Sequence, residues 1–255
     1  MIRELRTEEL EVRIYPKRLD MGNAAADIVA NRIAQLLNGQ EFVNMIFAAA
    51  PSQNEFLAAF VARTDVEWNR INAFHMDEYI GLPENAPQKF GSFLKEKLFG
   101  HVPFHTVNYI DGNVPDAMAE GGRYADLLLK YPTDIVCMGI GENGHIAFND
   151  PHVADLNDPL KVKIVDLDFE CRQQQVNDGC FNKLNNVPLL AITLTVPALM
   201  AGKYIYCIVP GKSKAKAVYH TLYNKISKQC PATVLRRHEH AVLFLDDESS
   251  SLIKY

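Results

Sequence analysis

Apolar residues fall along the chain in two spacings. Short runs rich in β-branched residues alternate with longer stretches where apolar positions recur every three or four residues. The first spacing predicts buried strands and the second predicts amphipathic helices. Strands are predicted over residues 42–48, 70–74, 134–140, 191–196, 203–209 and 241–245, and helices over 52–63, 118–129 and 212–223. Such alternation predicts an α/β fold, a single-domain, open and mostly parallel sheet with helices on both faces. No composition break, repeat or low-complexity linker divides the chain, so one domain is expected over residues 1–255.

Open α/β sheets bind ligands beyond the carboxyl ends of their strands. Three segments follow predicted strands and carry suggestive chemistry. In AAAPSQNE (48–55), Ser52 stands three residues before Glu55, a capping-box spacing that makes Ser52 the expected N-cap of the helix. Ala49, Ala50 and the Ser52 hydroxyl at a helix N-terminus also suit an anion such as phosphate, although Pro51 removes one amide donor. In FHMDEY (74–79), Asp77 and Glu78 point to opposite sides of an extended chain, so only one need face a site. A partly desolvated carboxylate there suits a base acting on a carbon acid; a solvated loop with Asp77 opening a turn is the plainer alternative.

The third segment, DIVCMGIGENGHIAFNDP (134–151), places glycines at 139, 141 and 144 in a G-x-G-x-x-G pattern after a strand, with Asp166 downstream. That pattern invites a dinucleotide site. Its context argues against one, because His145 follows at once and Asn149-Asp150-Pro151 breaks the chain where a long helix should open. The same glycines, Gly144 among them, equally let backbone amides approach a ligand while His145 and Asp150 move protons. A hydrogen-bonded histidine in a tight turn is the bland role for His145. No second histidine stands at a convincing ligand spacing, so no metal is expected.

Composition narrows the class. A formal charge of -5 argues against nucleic-acid partners. No apolar run reaches membrane-spanning length, and the first twenty residues lack the apolar core of a signal peptide. Five scattered cysteines, none in a C-x-x-C pair, predict reduced thiols and a cytoplasmic protein.

FHMDEYIGLP at 74–83 and GIGENGHIAFNDP at 139–151, with PGKSKAKAV at 210–218, resemble the glucosamine-6-phosphate deaminase/isomerase family. That family shares its Rossmann-like fold with 6-phosphogluconolactonase, and HIAFND favours the deaminase branch. The resemblance implies opening of an amino sugar 6-phosphate ring, proton transfer between C2 and C1, and release of ammonium to leave fructose 6-phosphate. It implies no metal or redox cofactor. On matching positions, Asp77 is the C1/C2 base, His145 serves ring opening, Asp150 stands at the family's usual glutamate, and Lys214 at its phosphate lysine. Asn143 replaces a frequent aspartate, AAAPSQ replaces a Thr-Gly-rich phosphate loop, and the phosphate arginine has no match near Gly179. Arg172 is the nearest substitute. The expected site therefore comprises Asp77, Asn143, His145 and Asp150 for catalysis, with Ala49, Ala50, Ser52, Gly144, Arg172 and Lys214 for the sugar phosphate. Hydrolysis of a phosphosugar lactone, or sugar-phosphate binding without turnover, are the competing expectations; homo-oligomerisation is left open.

Overall fold

The structure, a computed structural model, describes residues 3–254. The chain opens with a hairpin, Arg3–Thr7 (β1) against Leu10–Tyr15 (β2), and then forms the helix Arg18–Leu37 (α1). Val43–Phe47 (β3), Asn54–Val61 (α2), Ile71–His75 (β4) and Asp77–Tyr79 (β5) follow. Next come Phe90–Leu94 (α3), Thr106–Asn108 (β6), Ala117–Lys130 (α4) and Ile135–Met138 (β7). The last third holds Val162–Asp166 (β8), Phe169–Asn177 (α5), Leu190–Leu194 (β9) and Val196–Met200 (α6). Tyr204–Val209 (β10), Ala215–Tyr223 (α7) and Ala241–Asp246 (β11) complete the order.

Eight strands form one sheet in the order β1-β2-β11-β10-β7-β3-β4-β6, parallel throughout except for the β1–β2 edge. Every residue of β4 and β7 is buried, as expected of parallel strands covered on both faces. Alternation along β3 divides the core. Met45 and Phe47 pack toward Met21, Val29 and Phe60 of α1 and α2, whereas Ile46 packs with Tyr124 and Leu222 of α4 and α7. No helix among the described residues is long and apolar enough to cross a membrane. All five cysteines are free.

Two expectations need correction. The strand predicted over 191–196 does not join the parallel sheet. It is β9, the centre of a separate antiparallel sheet in the order β5-β9-β8. It also stops early, because the Thr195 hydroxyl accepts from the Ala198 amide and starts α6 with Pro197 in its first turn. The second correction is Ser52, which does not cap α2. Pro51 begins a 3₁₀ turn, Pro51–Gln53, with Ala50 ahead of it, and Glu55 pairs with Arg18 at 2.9 Å instead of reaching back. A proline fixed near helical φ starts the turn ahead of Ser52, so Ala50 takes the N-cap place expected of Ser52.

The small sheet begins just beyond the carboxyl end of β4, joined to it through Met76. Residues 71–75 belong to the parallel sheet and residue 77 already pairs with Thr193 of β9. The junction is pinned by the buried Tyr124 hydroxyl, which accepts from the His75 amide at 2.9 Å and donates to the His75 carbonyl at 2.8 Å. Tyr124→Phe leaves both backbone groups unmet in a dry interior. The expected cost is about 1–3 kcal/mol, read as a lower urea midpoint with an unchanged slope.

Candidate active site

Asp77 enters the site because β5 alternates. Glu78 turns away and accepts the amides of Tyr79, Phe90 and Gly91 at 2.9–3.0 Å, closing the start of α3. Asp77 turns the other way and lines a cavity. Its backbone is fastened by His75, which is fully buried. The His75 Nε2 accepts the Ile110 amide at 2.9 Å, so Nδ1 carries the hydrogen and donates to the Asp77 carbonyl at 2.9 Å. Burial pushes this imidazole down to about 4, and it stays neutral. The Asp77 carboxyl moves the other way: burial raises it well above the ordinary range, and the neighbouring Glu78 charge adds to the shift.

His145 is held by a tight loop closed by the Gly141 amide on the His145 carbonyl at 2.9 Å. Its ring lies against Gly141, where a Cβ would come within 2.1 Å of it. The Nδ1 atom sits 2.7 Å from Asn143 Oδ1 and 2.9 Å from Asp150 Oδ1. Both neighbours are acceptors, so Nδ1 carries a hydrogen and Nε2 is the nitrogen left for other chemistry. Asn143 also accepts the His145 amide at 3.0 Å and donates to Asp150 at 3.0 Å. Burial alone would raise Asp150; the His145 charge, with hydrogen bonds from His145, Asn143 and Cys171, brings it instead to about 2. Asp150 is wholly buried, does not line the cavity and meets the imidazole instead. This corrects the expectation that it moves a substrate proton. The loop then turns through a bridge between Ile146 and Asn149 and opens no helix, which removes the structural context of a dinucleotide site.

Asp77, His145, Ala49, Ala50, Ser52 and Lys214 all line one cavity with about 500 Å³ of empty space. Gln53, Gln174 and Gln175 join them; Gln53 lies inside the helix predicted over 52–63, where a glutamine carries no signal. Lys214 is 4 % exposed, and burial lowers its pKa against the opposing pull of Asp178 and Glu142. It forms no ion pair among the described residues, so its charge is available to an anion.

Two expected ligand contacts lie elsewhere. Arg172 donates to the Leu184 and Val187 carbonyls at 2.8 and 3.1 Å and borders a different groove, because its place on α5 faces it away from the cavity. Gly144, at φ 86°, is the left-handed corner of the loop and packs against Cys230 instead of the cavity. Metal-ligand spacing occurs in two clusters, His145–Asp150–Cys171 and Asp150–His152–Asp168. In the first, His145 and Asp150 are already bound to each other and burial keeps the Cys171 thiol protonated. In the second, the exposed His152 pairs with Asp166 at 2.9 Å.

A sequence model for glucosamine-6-phosphate isomerases/6-phosphogluconolactonase matches residues 16–244. A glucosamine-6-phosphate deaminase of Listeria monocytogenes is 33% identical over 83% of this chain and 88% of its own. One of Bacillus cereus is 36% identical over 76% and 72%. Among solved structures, a monomeric glucosamine-6-phosphate deaminase superposes with a TM-score of 0.87 at 27% identity, covering 95% of this chain and 99% of that one. The 6-phosphogluconolactonase of Thermotoga maritima, at 20% identity over 93% and 99%, shares the fold with a TM-score of 0.76.

The raised Asp77 pKa has a thermodynamic signature. Folding favours the protonated carboxyl, so this group's contribution is complete below its unfolded value of about 3.8 and is lost as pH rises through the folded value. Asp77→Asn removes that penalty. Thermal melts are expected to show little difference from wild type at pH 4 and a stabilised variant at pH 8, by about 1 kcal/mol or more. A gap that does not widen with pH contradicts the assignment.

Proposed function

The chain belongs to the glucosamine-6-phosphate isomerase/6-phosphogluconolactonase family, and on that premise we propose that it converts glucosamine 6-phosphate to fructose 6-phosphate and ammonium. One observation carries the reading: a buried carboxylate and a histidine with a free Nε2 share a cavity with Lys214 and Ser52. Lys214 and Ser52, the latter in the turn beginning at Pro51, receive the phosphate.

His145 Nε2 takes the proton from the anomeric hydroxyl and returns it to the ring oxygen, opening the pyranose. Asp77 then removes the C2 proton from the open-chain aldehyde and delivers it to C1. The C1 oxygen gains a proton that the nitrogen gives up, leaving an iminium at C2; water adds to that carbon, and ammonium leaves. Water supplies the ketone oxygen, so the atoms balance without a redox partner. Burial suits Asp77 to this step, since a more basic carboxylate is better matched to a weak carbon acid. Asp150 and Asn143 fix the imidazole tautomer. Asn143 cannot supply the charge of the aspartate often found at its position; the Asp150 carboxylate, 2.9 Å from Nδ1, supplies it from behind. That geometry favours turnover over binding alone. The five free, scattered cysteines fit a reducing compartment such as the cytoplasm.

The deciding experiment is ammonium release, coupled to fructose 6-phosphate detection, across several amino sugar 6-phosphates. Equimolar products from glucosamine 6-phosphate are expected. Binding without ammonium would point to a sensor, and lactone hydrolysis without deamination to the other branch. Asp77→Asn is expected to slow exchange of the C2 proton with solvent by about 10²–10⁴-fold while sugar-phosphate binding persists. Retained exchange removes Asp77 as the base. His145→Gln is expected to impair the cyclic substrate more than an analogue already open; equal losses contradict its role in ring opening.

A further inference from the structure

Next to Ser52 in the cavity, one buried side chain is not used by the mechanism above. Gln53 is 1 % exposed and borders the cavity beside Ser52. Its Nε2 donates to the Ile208 carbonyl at 3.1 Å and to Ser52 Oγ at 3.1 Å. The carbonyl can only accept, so it fixes which end of the amide is nitrogen. Both Nε2 hydrogens are then assigned, one to Ile208 and one to Ser52. The opposite end, Oε1, is buried without a partner, so the amide is held through its nitrogen alone.

A hydroxyl that receives a hydrogen from Gln53 must place its own hydrogen elsewhere. Ser52 Oγ meets no acceptor among the described residues, and its remaining direction is the cavity that also holds Lys214. Gly139 belongs to the same arrangement. A Cβ there would lie 3.0 Å from Gln53 Nε2, 3.5 Å from the Ile208 carbonyl and 3.6 Å from Ser52 Oγ, inside the space the amide uses.

We infer that Gln53 is a positioning residue that turns the Ser52 hydroxyl into a hydrogen-bond donor aimed at the substrate's phosphate. The inference rests on the sugar-phosphate reading of the cavity. It gives AAAPSQ a way to grip an anion without glycines: a single side-chain donor of fixed direction, next to a buried ammonium. A hydrogen bond to a charged oxygen is stronger than one between neutral groups, so the orientation of one proton matters here.

A double-mutant cycle tests it, with inorganic phosphate and glucosamine 6-phosphate titrated into the full chain by calorimetry. Ser52→Ala is expected to weaken phosphate binding about tenfold or more. Gln53→Met, similar in shape but without N–H groups, is expected to weaken it comparably, and the double variant no further than Ser52→Ala. Ser52→Thr, which keeps a hydroxyl, is expected to restore most of the affinity. Losses that multiply in the double variant overturn the inference, as does unchanged affinity in Ser52→Ala. If Gln53→Met does not fold with Ile208 unpaired, Gly139→Ala displaces the same amide and enters the same cycle with the same expected outcome. The wild type's ammonium release is read separately. Phosphate binding that depends on Ser52 and Gln53, without ammonium, would leave this inference standing and sink the deaminase reading. Ammonium release with Ser52→Ala at wild-type phosphate affinity would do the reverse.

Discussion

The place where the chain leaves the parallel sheet for the small antiparallel one is secured by an uncharged histidine. His75 has no exposure, accepts from Ile110, donates to the Asp77 carbonyl, and has its own backbone groups met by Tyr124. The two ring bonds together require the neutral ring in one tautomer, and burial enforces that state. The direction of the Asp77 side chain depends on this junction. With a one-residue slip, Glu78 would face the cavity and Asp77 would face the amides of α3. The sheet crossing, the helix start and the base are therefore one mechanical unit.

Charge in the site is arranged by the same logic of burial. Asp77 is disfavoured as an anion and Lys214 as a cation, so both hold their charged forms against a penalty. Asp150, equally buried, goes the other way because His145 and Asn143 meet one of its oxygens. Three buried ionisable groups thus behave differently according to what touches them. The two that face the cavity are left without a full set of protein partners. The one behind it is tied down.

Much of this was legible in the sequence, and the limits are physical. Of the parallel strands, β3, β4, β7, β10 and β11 were readable, because burial on both faces demands unbroken apolar runs, as in IVCM of β7. By contrast β2, which alternates with charged residues, and the three-residue β6 were not. The small sheet was not: β5 is three residues long and β8 reads VKIVD, patterns too short or too polar to separate from loop. Asp77 and His145 could be placed because a strand's carboxyl edge and a glycine-rich turn each constrain position locally. Arg172 could not, since the side of α5 it occupies is fixed by packing that no local pattern encodes. The idea that only one of Asp77 and Glu78 faces the site followed from strand alternation alone. Ser52 reached the cavity for a reason other than capping, because Pro51 starts the turn ahead of it.

The His145 loop carries a wider consequence. The carboxylate that meets its Nδ1 arrives from Asp150, five residues later in the chain, while Asn143, two residues earlier, contributes only dipoles. Asn143 and Asp150 occupy the same few ångströms from opposite directions along the backbone. Two positions flanking the histidine therefore reach its Nδ1, and in this chain only the later one brings a carboxylate. What an imidazole responds to is charge at a point in space, which the letter two places before it does not by itself record.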